Sequence, residues 1–265
     1  MRQESRRKGK GMGAVARPFV FAWHFLTAVP LSHVHHDPTN KELAASMAWF
    51  PVIGLLIGGM LAGTDVVLEL FLASEVVNAI VIVLLVLLTR GLHQDGLADT
   101  LDGLTGGSTP AERLSIMRDP RIGAIGATGL FLSLILRYAG LMALPDTLRV
   151  PALVCMPAVG RWAMVTTAWE SPYARTEGGL AASFLTHLSW AHVLISTSIL
   201  ALALGLGFGL KSTMVMLVMG VGVVLALRAA YCSWFGGITG DILGATNELM
   251  EILFLLILPL LLLLP

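Results

Sequence analysis

The chain has 265 residues, 56% of them hydrophobic and 13% charged, against about 45–50% apolar and about 25% charged in an ordinary soluble domain. That balance argues against a soluble enzyme. Seventeen Lys and Arg offset seventeen Asp and Glu, so no global charge draws the protein to nucleic acid, and Cys155 and Cys232 lie in apolar runs with neither a disulfide nor a zinc spacing.

Residues 1–17 form a basic tail, with Arg2, Arg6, Arg7, Lys8, Lys10 and Arg17 against Glu4 alone and no signal-peptide cleavage pattern. By the positive-inside rule the tail is cytoplasmic, and residues 18–265 form a single integral-membrane domain. Pro18–Leu31 is apolar but short, which suits an interfacial or re-entrant helix. His33, His35 and His36 follow in what reads as a polar loop, with metal binding as the alternative. Leu43–Thr64 and Leu188–Leu210 carry no Asp, Glu, Lys or Arg and are long enough for a hydrocarbon core that needs roughly 20 residues. Leu70–Thr89, Ile122–Leu144, Val150–Trp169, Ser212–Trp234 and Leu243–Leu264 are further candidates that tolerate an ionisable residue or two. The expected fold is an all-α polytopic membrane bundle of about seven transmembrane helices. Asp65–Glu75 has no Lys or Arg, whereas Arg90–Arg121 has four. The alternation places Arg90–Arg121, Glu170–His187 and Phe235–Asp241 on the cytoplasmic face, and Asp146–Arg149 and Lys211 outside.

The motif-bearing loops therefore share one face. In the first, Asp95, Asp99 and Asp102 stand at i, i+4 and i+7, within an arc of roughly 60° on a helix. Stacked carboxylates with no base between them repel, and a divalent cation relieves that repulsion; Mg²⁺ favours carboxylates together with substrate phosphates. A solvated acidic face is the alternative, disfavoured because charges are scarce in this chain and costly near a membrane. Downstream, Arg118 and Arg121 flank Asp119 and offer guanidinium forks for phosphate; Arg113 reads as a membrane-face anchor. Gly123 and Gly126 open the next helix, either to free N–H groups for an anion or for close helix packing.

Toward the C-terminus, Asp241 and Glu248 share a helix face and Glu251 is displaced by about 80°. Glu248 and Glu251 fall inside a membrane helix, where an ionisable group needs a partner or a wet cavity. Arg161 and Arg228 are the candidate partners, either as structural ion pairs or as co-lining residues of a polar cavity. Asp241, at the mouth, is the better metal or substrate ligand.

These blocks resemble the cobalamin synthase family, also called adenosylcobinamide-GDP ribazoletransferase. His93-x-Asp95-Gly-Leu-Ala-Asp-Thr-x-Asp-Gly103 resembles its signature and Ile116-Met-Arg-Asp-x-Arg-Ile-Gly123 its second block. Tyr173-Ala-Arg-x-Glu-Gly178 and Gly236-Gly-x-Thr-Gly-Asp-x-Leu-Gly-Ala-x-x-Glu-x-x-Glu251 complete the order. Gln94 departs from it, standing where an apolar residue is expected. The resemblance implies a Mg²⁺-dependent enzyme of a bacterial or archaeal cytoplasmic membrane, with its active site facing the cytoplasm. Its reaction would join adenosylcobinamide-GDP to α-ribazole or its 5′-phosphate and release GMP. Asp95, Asp99 and Asp102 would hold the metal, while Arg118 and Arg121 neutralise the donor. Asp241 and Glu248 would hold a second metal or orient the ribazole. Arg161 and Arg175 are further substrate-binding candidates. The base that takes the hydroxyl proton is either His93, about 200° around the helix from Asp95, or one of the carboxylates. The lipid bilayer is the one macromolecular partner expected, and homo-oligomerisation stays open. Two rivals remain: a phospholipid-type alcohol phosphotransferase, whose Asp-rich motif carries Ala-Arg where this chain has Ala98-Asp99, and a cation transporter using Glu248, Glu251 and Arg161.

Overall fold

A computed structural model describes residues 16–31 and 37–261. Most of the basic tail, the histidine cluster and the last residues of the leucine-rich tail lie outside the described residues. Among those described, the chain is helix and loop throughout, joined by one isolated β-bridge between Tyr173 and Ile238.

Helix α1 (Ala16–Leu26) buries Val20, Phe21, Ala22, Trp23 and Leu26. At about 1.5 Å per residue it is too short to cross a bilayer, in keeping with the interfacial expectation. Helix α2 (Asn40–Met47) starts in a capping box, Thr39 with Glu42, which satisfies two otherwise orphaned amides. Helix α3 (Phe50–Leu68) then runs into the bundle. It extends past the expected boundary at Thr64, because Asp65 is not in a loop: it is buried and paired with Arg149 at 2.6 Å. Arg149 also donates to Asn78 at 2.7 Å and lies 3.0 Å from Glu69, so one guanidinium knots three helices at the end of the bundle away from the motif loops.

Helix α4 (Ser74–Thr89) and helix α5 (Leu92–Gly106) meet at an 88° bend. Arg90 (φ 56°) and Gly91 (φ 66°) are both left-handed there. The non-glycine member is held by its own side chain, since the Arg90 guanidinium donates to the carbonyls of His24 and Thr27 at 3.0 and 2.9 Å and so caps α1. Helix α5 leaves the membrane-crossing direction at this bend and lies at the face of the motif loops. Helix α6 (Pro110–Ile116) begins in a second capping box, Thr109 with Glu112. Helix α7 (Ala124–Met142) returns across the bundle, followed by helix α8 (Asp146–Ala168), the most enclosed of the long helices. The packing of α3 on α8 depends on Gly54 and Gly58: a Cβ at either would run into α8 backbone at residues 153–154 or 157–158. The motif is of the small-xxx-small kind that brings membrane helices into backbone contact.

After the short helix α9 (Leu180–Leu185) comes helix α10 (Trp190–Phe235), which is two passes and not one. The Trp162 indole donates to Thr197 at 2.9 Å, and Gly220 lies against the same ring. Those positions would be about 35 Å apart in a straight helix. The reversal is at Gly209, in a φ 78°, ψ 167° conformation that favours glycine. Helix α11 (Gly240–Leu261) closes the bundle. Among the described residues, five helices are long and apolar enough to cross a membrane, six if α4 and α5 make one bent crossing. Counting α10 as its two passes makes six without that pair, close to the expected seven or so.

Candidate active site

The three loops expected to share a face do meet. The 172–174 segment pairs with residue 238: Ala174 donates its amide to the Ile238 carbonyl and Ile238 to that of Pro172, both at 2.9 Å. This holds Arg175 over the start of α11, where its guanidinium meets the Asp241 carboxylate at 2.9 Å. Across the same face, Arg118 and Glu177 form a bidentate pair at 2.8 and 3.4 Å. Arg113 donates to the carbonyls of Gly107 and Trp234 at 2.9 and 2.8 Å, tying the loop before α6 to the end of α10. Arg121 closes a fork on Asp119 at 2.9 and 2.7 Å, and that hydrogen bonding holds the Asp119 carboxyl down at about 2.

The acidic helix lies within this ring. Gly96 permits the approach, since a Cβ there would press on the Asp241 backbone. Asp95 is exposed, and Asp99 and Asp102 are half-buried. Partial burial, together with the charges of Asp95, Asp241 and Asp102, raises Asp99 to about 6, with Arg175 opposing. The carboxylate field thus combines two distant segments, Asp95 and Asp99 from α5 and Asp241 from α11. Asp102 has an added task. Its oxygens accept the amides of Gly123 and Gly126, each at 2.7 Å, so the anion on the N-terminus of α7 is the chain's own carboxylate. Side chains at either glycine would collide with it.

No three metal-ligating side chains among the described residues stand close enough to enclose an ion. The donor chemistry nevertheless fits Mg²⁺, which takes few protein carboxylates and completes its shell with water and phosphate. Like charges crowded around Asp99 are the arrangement a divalent cation would relieve.

His93, Arg161 and Glu248 lie elsewhere. They are at most 1% exposed, in an ionic core beneath α5. Arg137 pairs with Glu248 at 2.7 Å and with Glu251, Arg161 pairs with Glu251, and Asn247 donates to Glu251 at 2.9 Å. His93 Nδ1 is 3.5 Å from the Arg161 guanidinium. Of the alternatives left open for these glutamates, the structure shows ion pairs. It replaces Arg228 with Arg137, for Arg228 instead donates to the Glu170 carbonyl at 2.5 Å. Arg137 was not among the sequence candidates, although a lone arginine amid the apolar run Ile122–Leu144 is itself a signal that a carboxylate must meet it.

Fold and site together define a polytopic helical membrane protein with an acid-rich, arginine-fringed cluster at one face. Residues 18–259 match the family described as cobalamin-5-phosphate synthase. Curated relatives carry the name adenosylcobinamide-GDP ribazoletransferase. The one from Syntrophobacter fumaroxidans is 41% identical over 88% of this chain and 96% of its own length. That of Desulforamulus reducens is 35% identical over 88% and 93%, and that of Pelodictyon phaeoclathratiforme 39% over 88% and 92%. The chain belongs to the cobalamin-5-phosphate synthase family. No solved structure matches it.

Proposed function

We propose that this chain is an adenosylcobinamide-GDP ribazoletransferase of cobalamin biosynthesis. It would transfer the adenosylcobinamide phosphate group from adenosylcobinamide-GDP to α-ribazole or its 5′-phosphate. The ribazole hydroxyl oxygen forms a bond to the phosphorus carried by cobinamide, the bond from that phosphorus to the bridging oxygen breaks, and GMP leaves. The observation that carries this reading is the meeting of Asp95, Asp99, Asp241 and Arg175 on one face of a member of this family.

Asp95 and Asp99, with Asp241 and Asp102 beside them, would hold Mg²⁺, which when bound neutralises pyrophosphate charge. Arg118, Arg121 and Arg175 already grip carboxylates, and the exposed pairs of Arg118 and Arg121 are individually weak. An incoming phosphate can therefore replace Glu177 or Asp119 at small cost and gain a guanidinium fork. The hydroxyl proton passes to a carboxylate of the cluster, because His93 is buried on the opposite side of α5, against Arg161. Arg161 and Glu248 act by supporting α5 from below, without touching substrate.

Protein reconstituted in liposomes should release GMP from adenosylcobinamide-GDP only when ribazole 5′-phosphate or ribazole and Mg²⁺ are both supplied. Release without an acceptor, or none from well-folded protein, would refute the assignment.

In the same reading the protein lies in a bacterial or archaeal cytoplasmic membrane with this face toward the cytoplasm. Ser108 is exposed on the loop between α5 and α6. A Ser108→Cys variant should react with an impermeant maleimide only after sealed cells are opened, and labelling of intact cells would reverse the orientation.

A further inference from the structure

Between α6 and the 174–177 strap is a groove of about 520 Å³ that ends at the α10–α11 turn. Pro110, Ala111 and Leu114 give it an apolar wall, and Arg118, Arg175 and Glu177 give it a charged rim. Arg175 joins the groove to the carboxylate field through its 2.9 Å contact with Asp241. Glu177 reaches across the groove to Arg118 at 2.8 Å, with 64% of its side chain exposed.

An acid in that position works against a phosphate site, because it repels each anion that approaches. The acids that press most on Asp99 are Asp95, Asp241 and Asp102, so Glu177 stands apart from the residues that would hold a metal. Its pair with Arg118 is exposed on both sides and adds little stability. Hydrogen bonding to Arg118 keeps the Glu177 carboxyl below its ordinary range, which leaves it an acceptor and never a donor.

Once a phosphate takes the Arg118 fork, Glu177 remains on the rim as two free acceptor oxygens. The nucleotide that carries the phosphate can also carry the matching donors. Guanine presents N1–H and N2–H₂ side by side, and a carboxylate accepts both at once. Adenine presents a ring-nitrogen acceptor at that edge, which a carboxylate repels, and hypoxanthine lacks the second donor. The apolar wall of Pro110, Ala111 and Leu114 offers a flat ring a surface to lie on.

We propose that this groove seats the guanine of the donor and that Glu177 reads its N1–H and N2–H₂ edge. The proposal rests on the function given above. It makes Glu177 a specificity-determining residue that selects the leaving nucleotide, apart from the carboxylates that serve the phosphates.

The test is equilibrium dialysis of GMP, IMP and AMP, each with Mg²⁺, against the full-length protein in liposomes. Wild type should bind GMP about tenfold more tightly than IMP, the loss expected for one charge-assisted hydrogen bond, and about a hundredfold more tightly than AMP. Glu177→Gln should bring the three nucleotides within about threefold of one another. Glu177→Ala, which removes both oxygens, is read in parallel and should do the same. The ratio is the decisive readout: if Glu177 only latched the strap to Arg118, its loss would change all three affinities by one factor and the preference would survive. A wild type with no preference for GMP, or a preference that persists in both variants, overturns the proposal whether or not the enzyme turns over. A Glu177-dependent preference in protein that releases no GMP from the donor would instead uphold the groove and refute the reaction.

Discussion

Glu251→Gln is expected to destabilise the bundle by about 3–5 kcal/mol, enough to lose monodisperse protein in mild detergent. Glu251 is the shared acceptor of Arg137 and Arg161, and all three side chains are at most 1% exposed. Two guanidiniums and two carboxylates balance in this core. Neutralising one acid leaves two cations with Glu248 alone, at a depth where water cannot compensate. The measurement is thermal unfolding in detergent, read beside the double variant Arg161→Met with Glu251→Met. That variant removes one charge of each sign and leaves the Arg137–Glu248 pair, so it should recover most of the loss. Equal losses in single and double variants would mean that packing around Glu251, and not charge balance, sets the cost.

Asp99→Asn should lower GMP release about 10²- to 10³-fold or more, the scale for loss of a principal electrostatic contact to a reacting phosphate. Its effect on stability runs the other way. In the native protein Asp99 holds its proton up to about 6, above the ordinary carboxylate range. As pH rises from the unfolded value near 4 through about 6, the unfolded chain loses that proton first. Metal-free wild type therefore loses stability over that window. The asparagine variant should show no such loss and should be at least as stable as wild type at pH 8 in chelator. A variant that is both inactive and less stable at pH 8 would mark Asp99 as a structural residue instead.

Much of this was legible in the chain. Apolar runs located the crossings, although the run expected from Leu43 is broken at 48–49 between α2 and α3, and the alternation of basic residues predicted that the 90–121, 170–187 and 235–241 segments would share a face, as the contacts of Arg175, Arg118 and Arg113 bear out. What escaped was pairing across distance. A helical arc groups Asp95, Asp99 and Asp102, yet nothing local reveals that Asp102 reaches the amides of Gly123 and Gly126. The same limit hid Arg137, whose carboxylates are on another helix, and suggested Arg228 in its place. Gly54-x-x-x-Gly58 drew no notice in the sequence, because nothing local says which helix such a pair of small residues meets. The reversal at Gly209 leaves only a glycine as its trace, in a stretch where Gly205, Gly207 and Gly209 all compete for the role.

The ionic core also bears on how the protein is made. Arg137 enters the membrane on α7, but the carboxylates that neutralise it, Glu248 and Glu251, are encoded 111 and 114 residues later. During synthesis a cation must wait in or beside the bilayer while α8 and both passes of α10 are threaded. Only the arrival of the last helix discharges it. Assembly is thereby committed at the C-terminal end, and a nascent chain stalled before α11 leaves the Arg137 guanidinium without its carboxylates.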